Sequence, residues 1–136
     1  MPLTVSEIEL KIEALLGGLN VEVAMGEDAA ADLKGYHKEI NIILALIVAM
    51  AKKGPLIKPA GYGEPLLGKL YGFTKIKPKA ISLRIVYRPI MLSSGKVRME
   101  IIAIGPRDRE RVYELAARRV VEFQAQMAKR FLENND

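Results

Sequence analysis

The sequence predicts one α+β domain, spanning residues 1–136, in which helices pack on a mostly antiparallel four-stranded sheet and a last helix follows the sheet. Two patterns indicate this fold class. Helical periodicity dominates the first half of the chain, and three segments of alternating apolar and polar residues follow between positions 72 and 104. A chain of this length is large enough to bury a core of its own.

The first half begins with a predicted helix and a short strand. Ser6 and Glu9 have the spacing of a capping box, and Gly17 with Gly18 is a typical helix end. Residues 20–25 alternate in polarity and therefore predict a half-buried strand.

A helical hairpin is predicted next, with one helix from Glu27 to about Gly35 and a second over about 38–52. The second helix contains the longest apolar run of the chain, Ile40 to Ala51. A membrane span needs about 20 apolar residues. The run therefore predicts a helix buried on one face of the sheet, with Lys75, Lys77 and Arg84 on the opposite face, and no membrane association.

The second half predicts three strands and a long helix. The strands cover 72–77, 82–89 and 96–104, with a hairpin loop at 92–95, and the last strand is apolar enough for the centre of a sheet. The helix runs from Arg107 to about residue 133. Its predicted apolar stripe consists of Val112, Leu115, Ala116, Val120, Phe123 and Met127.

Composition excludes several kinds of site. The chain has no cysteine and one histidine, His37, so that thiolate zinc sites, cysteine nucleophiles and Ser-His-Asp triads are ruled out. We expect no metal and no cofactor. Acidic residues near the N-terminus (Glu7, Glu9 and Glu13) argue against a signal peptide, and a cytoplasmic location is the default.

Positive charge is concentrated in one segment. Between Lys69 and Tyr113 there are eleven Lys or Arg residues and three acidic residues, a local balance of +8, whereas the first 68 residues have six basic and nine acidic side chains. Such a segment favours binding to phosphates, because each phosphate that it neutralises releases counterions. The alternative is a solvated basic surface without a ligand.

Three motifs occur within this segment in a fixed order. They are Lys75-Ile76-Lys77, the strand Leu83-Arg84-Ile85-Val86-Tyr87, and the turn Gly105-Pro106-Arg107-Asp108-Arg109 that leads to Tyr113. Lys77 precedes Arg84 by seven positions, and Arg107 precedes Tyr113 by six. In this order and spacing, the chain from Val21 to about Val120 resembles the RelE/ParE toxin superfamily of bacterial type II toxin–antitoxin modules.

The resemblance implies a RelE-like fold and a choice between two activities. RelE-like toxins cut mRNA in the ribosomal A site, whereas ParE-like toxins poison DNA gyrase and lack the catalytic set. That set is present in this sequence, so the resemblance implies a ribosome-dependent mRNA endoribonuclease that is neutralised by an acidic antitoxin. Its catalytic residues would be Lys77, Arg84, Arg107 and Tyr113, and its RNA-binding residues Lys75, Lys79, Arg88 and Arg109.

The chemistry expected of this set is attack of the ribose 2′-OH on the adjacent phosphorus. Tyr113 would be the base, provided that neighbouring cations such as Lys77 favour loss of its phenolic proton. Arg84 would hold the phosphate in a bidentate clamp, and Arg107 would stabilise the leaving oxygen, since arginine is a poor proton donor. Lys75 would bind the RNA backbone.

Other interpretations remain open at this stage. Tyr113 could simply pack under the last helix, Arg84 could pair with Glu100 across the hairpin, and Arg109 could be structural. The protein could be a ParE-like gyrase inhibitor, a decayed toxin that binds other proteins, or a general RNA-binding protein. Residues 1–18 and 121–136 lie outside the resemblance. The extra N-terminal helix could cover the sheet, mediate dimerisation or occupy the antitoxin's place.

Overall fold

The computed structural model describes residues 4–79 and 81–132, without the side chains of Arg109 and Leu132. The predicted order of elements is confirmed. The helices are α1 (Val5–Leu16), α2 (Glu27–Gly35), α3 (Ile40–Lys53) and α4 (Arg111–Leu132), and the strands are β1 (Val21–Met25), β2 (Thr74–Ile76), β3 (Leu83–Met91) and β4 (Val97–Pro106). Short 3-10 turns occupy Gly68–Leu70 and Asp108–Glu110. The predicted end of the last helix, beyond position 132, lies outside the described residues.

The four strands form one sheet in the order β1-β4-β3-β2. The β2–β3 and β3–β4 pairs are antiparallel and the β1–β4 pair is parallel, so the predicted mostly antiparallel sheet is confirmed. Nine of the ten residues of β4 are buried, which fits its place between two neighbouring strands. The prediction of a central strand from its apolar sequence is therefore correct.

Each face of the sheet is covered by different helices. The first face packs against α1, α2 and α3, where Ile85, Tyr87 and Ile101 of the sheet join Ile43 and Ile47 of α3 in one core. The burial predicted for the apolar run of α3 is confirmed. The opposite face, here called the α4 face, packs against the last helix.

The core on the α4 face is smaller and includes Phe73, Val86 and Ile102 from the sheet side and Val112 and Phe123 from the helix. Most of the stripe predicted for the last helix is buried here. Leu115 is only half-buried and does not join this core.

The capping box of α1 lies two residues earlier than predicted. The Thr4 hydroxyl accepts a hydrogen bond from the Glu7 amide at 3.1 Å, and the Glu7 carboxylate accepts from the Thr4 amide at 2.9 Å. The predicted Ser6–Glu9 box is wrong because Glu9 is engaged elsewhere, accepting from the Met25 amide of β1 at 2.7 Å. Gly17 ends the helix in the left-handed conformation, as expected.

The extra N-terminal helix covers part of the first core. Ile8, Ile12 and Leu16 of α1 are buried there. Its Glu9 carboxylate also forms an ion pair with Arg130 near the end of α4. Of the three roles considered for this helix, the described contacts establish the first, which is to cover the sheet.

The last helix also begins later than predicted. Arg107 lies before the 3-10 turn, and regular α4 starts at Arg111. Glu110 adopts a positive φ of 57° inside this turn, which changes the direction of the chain between β4 and α4. Among the described residues, no helix is sufficiently long and apolar to cross a membrane.

Candidate active site

Lys75 and Arg84 lie on the α4 face of the sheet, where they were predicted to lie. Arg84 alternates with Leu83 and Ile85, both of which are buried in the core of the first face. Lys75 is opposite Val86 in the β2–β3 ladder, and Val86 belongs to the core under α4. Both side chains are half-buried. The strand alternation therefore places both cations on one surface.

Tyr113 of α4 lies on the same side of the molecule as Lys75. The Lys75 ammonium is 5.4 Å from the centroid of the Tyr113 ring, within the range of a cation–π contact. The ring is half-buried and packs against the core under α4. The alternative that Tyr113 packs under the last helix is thus partly correct, and it is compatible with a role in the site.

A close approach between α4 and β4 fixes the position of Tyr113. A Cβ atom added to Gly105 would lie 3.3 Å from Val112 Cβ, so the absence of a side chain lets the first turn of α4 sit close to the strand. Gly105 is also the residue opposite Arg84 in the β3–β4 ladder. Gly105 therefore pairs with Arg84 in the sheet and also lies against the first turn of α4, which bears Tyr113.

Arg107 follows directly after this strand end. Its backbone amide donates to the Ser82 carbonyl at 3.2 Å, which holds the residue beside the beginning of β3. Its side chain is exposed. Arg84 donates a hydrogen bond from Nη1 to the Leu83 carbonyl at 2.9 Å. Among the described residues, neither arginine forms an ion pair with a carboxylate.

Lys77 differs from these cations because a carboxylate holds it. Its ammonium is 2.8 Å from Glu64 Oε1, and both side chains are almost half exposed. The hydrogen bond from Lys77 and its positive charge hold the pKa of the Glu64 carboxyl below its usual range. No sequence pattern indicates this partner, since Glu64 lies in a loop of irregular structure.

Arg88, which was predicted to bind RNA, is held by a buried carboxylate. Its Nη2 lies 2.6 Å from Glu100 Oε1, and Arg98 Nε lies 2.9 Å from the other oxygen of the same carboxylate. The guanidinium of Arg88 also lies over the rings of Phe73 and Phe123. Glu100 is opposite Arg88 and Arg84 is opposite Gly105, so the considered pairing of Arg84 with Glu100 is wrong.

The two remaining predicted RNA-binding residues are Lys79 and Arg109. Lys79 is exposed beyond the end of β2, and its role stays a prediction. The side chain of Arg109 lies outside the described part of the chain. Within that part, no group of three or more His, Asp or Glu side chains could hold a metal ion.

The two tyrosines in the predicted motifs have different environments. Tyr87 is buried in the core of the first face, and its hydroxyl donates to the Pro55 carbonyl at 2.6 Å. Burial raises the pKa of Tyr87 well above its ordinary value, which makes it unsuitable as a base. Tyr113 is therefore the tyrosine of these motifs that lies near Lys75.

Comparison with known proteins supports the fold. No family profile matches the sequence, and no curated protein matches it. A solved structure of the E. coli toxin RelE, a mutant in which two arginines are replaced by alanine, in the free state, is similar to this chain with a TM-score of 0.52 and 21% sequence identity. The fold is RelE-like.

The match covers 95% of the RelE chain and 72% of this one. This protein therefore has residues beyond the matched RelE-like part. That these additions lie at both ends of the chain stays a prediction. At this level of identity the likeness concerns the fold. What the RelE-like scaffold does in this protein has to be argued from its own side chains.

Proposed function

We propose that this protein is the toxin of a type II toxin–antitoxin module and that it cleaves mRNA in the ribosomal A site. One observation mainly supports the proposal. On the α4 face of a RelE-like fold, the Tyr113 ring lies 5.4 Å from the Lys75 ammonium. Arg84 lies at the start of β3, opposite Gly105, and Arg107 follows the neighbouring end of β4. These residues come from motifs that are far apart in sequence. Together they provide a phenol and several cations, the groups needed around one phosphodiester.

The proposed reaction needs a base, a cationic clamp and stabilisation of a leaving group. Tyr113 takes the proton from the ribose 2′-OH, whose oxygen then attacks the adjacent phosphorus. The P–O5′ bond breaks, and the departing oxygen takes a proton from water. The products are a 2′,3′-cyclic phosphate and a 5′-OH end.

The basic side chains stabilise the negative charge that develops on phosphorus in this reaction. Arg84 has donors that match two non-bridging oxygens, and Arg107 is exposed where it can reach the leaving oxygen. Lys77 can transfer its contact from Glu64 to the substrate, because their ion pair is exposed and therefore weak. Lys75 supports both Tyr113 and the RNA backbone.

The proposed partner is a short acidic antitoxin. The local excess of positive charge around the site favours such a partner. The apolar stripe of α4 is buried in the chain itself, so an antitoxin that used this stripe would have to displace α4. Co-expression with the product of an adjacent gene should then abolish growth arrest, and an adjacent gene that neither binds nor protects would contradict this part of the proposal.

Single-turnover cleavage of mRNA on programmed ribosomes tests the enzymatic proposal. Tyr113→Phe removes one hydroxyl and retains the packing of the ring, yet it should slow cleavage strongly because the base is lost. Arg107→Ala should lower the rate by about 10²- to 10³-fold, as expected for loss of one stabilising donor. Affinity for the ribosome should change little for either variant.

The matched control is Tyr36→Phe, the same chemical change at a half-buried tyrosine that packs against the core of the first face. Its cleavage rate should equal that of the parent. Cleavage by Tyr113→Phe at the parental rate would eliminate the proposed base. Growth arrest by a parent protein that cuts no mRNA would instead favour a gyrase-directed, ParE-like toxin.

A further inference from the structure

Tyr71 is the most exposed aromatic residue among the described side chains, with 83% of its surface accessible to solvent. It lies in the loop before β2, at the end of the 3-10 turn Gly68–Leu70. The motifs of the proposed reaction do not include it. A single exposed aromatic side chain is common on a protein surface, so the case for a role depends on how and where this ring is held.

The loop around Tyr71 is held in place by buried neighbours on both sides. Leu70 and Phe73 belong to the core under α4, and the Phe73 ring packs 6.0 Å from that of Phe123. The Phe73 amide donates to the Leu70 carbonyl at 2.9 Å, and the Tyr71 amide donates to Gly68 at 3.1 Å. Tyr71 therefore projects from an anchored turn.

Glycines fix the direction of this turn. Gly68 and Gly72 have φ values of 62° and 91°, in the region that other residues seldom adopt. With a left-handed residue on each side of the turn, the chain presents Leu70 to the core and Tyr71 to solvent. The exposed position of the ring thus follows from the backbone conformation.

The position of Tyr71 relates it to the proposed site. Its loop packs on the α4 face through Leu70 and Phe73, which belong to the core against which Tyr113 also packs. Lys75 follows Tyr71 by four positions, a span of at most about 14 Å even when the chain is fully extended. The neighbouring Lys69 is exposed and adds a positive charge to this loop. An RNA strand with a phosphate at Lys75 would pass this ring.

We propose that Tyr71 is a stacking platform for a nucleobase next to the scissile phosphate, a role that rests on the function proposed above. Single-stranded RNA is commonly held by aromatic rings that stack on bases between basic residues that contact phosphates. Tyr62 provides a contrast, because its exposed ring is already covered by the Lys53 ammonium at 4.8 Å. In the free protein no such cation lies over Tyr71 among the described side chains.

The first test compares Tyr71→Leu and Tyr71→Phe in single-turnover cleavage on programmed ribosomes. Loss of one base stack lowers binding of the reacting RNA by about 5- to 150-fold, so Tyr71→Leu should lose activity within that range. Tyr71→Phe retains the ring and should cleave at nearly the parental rate. Tyr62→Leu is the matched control and should leave the rate unchanged.

An abasic nucleotide in the mRNA identifies the stacked base. Placed next to the cut, it should slow the parent enzyme and have little further effect on Tyr71→Leu, because each change removes the same contact. Additive effects of the two changes at every tested nucleotide would overturn the proposal. So would unchanged cleavage by Tyr71→Leu, which would assign the ring to contact with a protein partner instead.

A second measurement does not depend on cleavage. The chain has no tryptophan, so that Tyr71→Trp introduces a single fluorophore at the proposed platform. Its emission should be quenched when a single-stranded oligoribonucleotide is added at low salt, whereas emission from Tyr62→Trp should not change. Quenching with no cleavage by the parent would contradict the proposed reaction and retain the stacking site. Cleavage by the parent without quenching of Tyr71→Trp, together with full activity of Tyr71→Leu, would retain the proposed reaction and contradict the stacking site.

Discussion

Basic side chains lie at both ends of the α4 face, near Arg88 at one end and near Arg84 at the other. The two ends differ in the partners of these side chains. At the paired end, Arg88 and Arg98 share the buried carboxylate of Glu100. At the open end, among the described residues, Lys75, Arg84 and Arg107 have no carboxylate partner. The density of positive charge in a sequence therefore does not show which cations are free to bind a ligand. The pairing across the strands reveals it.

Burial of the side chains explains why the arginines of the paired end have a carboxylate partner and the basic residues of the open end do not. Glu100 is fully buried, and a buried carboxylate is costly unless cations and hydrogen bonds compensate it. The two arginines of the paired end provide that compensation and are thereby committed to the fold. The basic residues of the open end are at least partly exposed to water, so they can remain charged without a protein partner.

The largest effect is expected for Glu100→Gln at the paired end. This change leaves two largely buried guanidinium groups without their shared carboxylate and should lower the free energy of unfolding by about 3–5 kcal/mol. Urea denaturation at pH 7 measures it. Lys96→Gln, an exposed charge change in the adjoining loop, serves as the control and should cost less than about 1 kcal/mol. A similarly small cost for Glu100→Gln would mean that the paired end does not stabilise the protein.

Arg84→Gln should give the opposite result at the open end. The side chain is half-buried and, within the described part of the chain, its hydrogen bond is to the neighbouring Leu83 carbonyl, so stability should change by less than about 1 kcal/mol. Cleavage on programmed ribosomes should fall by about 10²- to 10³-fold because a donor to the transition state is lost. Thermal unfolding recorded beside the kinetics separates the two effects. A large loss of stability with a parental rate per folded molecule would remove Arg84 from the site.

The fold and the main residues of the proposed site could be predicted from the sequence, whereas the ion pairs of Glu100 and Glu64 could not. Helical and strand periodicity indicated every helix and strand, and the apolar character of residues 99–104 indicated the central strand. The motif spacing singled out Lys75, Arg84 and Tyr113, and the structure places these residues on one face of the sheet. These features depend on local sequence or on ordered motifs, which a single sequence contains.

The partner of Glu100 could not be predicted because it depends on a bulge. Between Val86 and Tyr87 the β3–β4 register shifts by one residue, and this shift brings Glu100 opposite Arg88. Without the bulge, Arg88 would face Ile101, and Glu100 would point to the other side of the sheet. The pairing of Lys77 with Glu64 was equally hidden, since it depends on the path of an irregular loop.

The smallest predicted effect concerns the pair of Lys77 and Glu64. Lys77 is intermediate between the two ends because it has a carboxylate partner, as at the paired end, but the ion pair is exposed to solvent. Glu64→Gln should release Lys77 and strengthen binding of a single-stranded oligoribonucleotide at pH 7. The gain should be no more than about fivefold, because solvent-exposed ion pairs are weak. Filter binding at low and high salt measures it, and the gain should diminish as salt screens the charges. Weaker binding by Glu64→Gln would show that Glu64 positions Lys77 for RNA and does not compete with it.

The pH dependence of the same pair provides an independent check. Lys77 lowers the pKa of Glu64 in the folded protein, so the pair contributes stability above the ordinary carboxyl value of 4.5 and loses it as the pH falls through the lowered value. In Lys77→Met, the Glu64 carboxyl should therefore titrate at higher pH than in the parent, as followed by carboxyl NMR shifts. An unchanged titration would mean that Lys77 does not hold Glu64 in solution and that Lys77 is available to RNA.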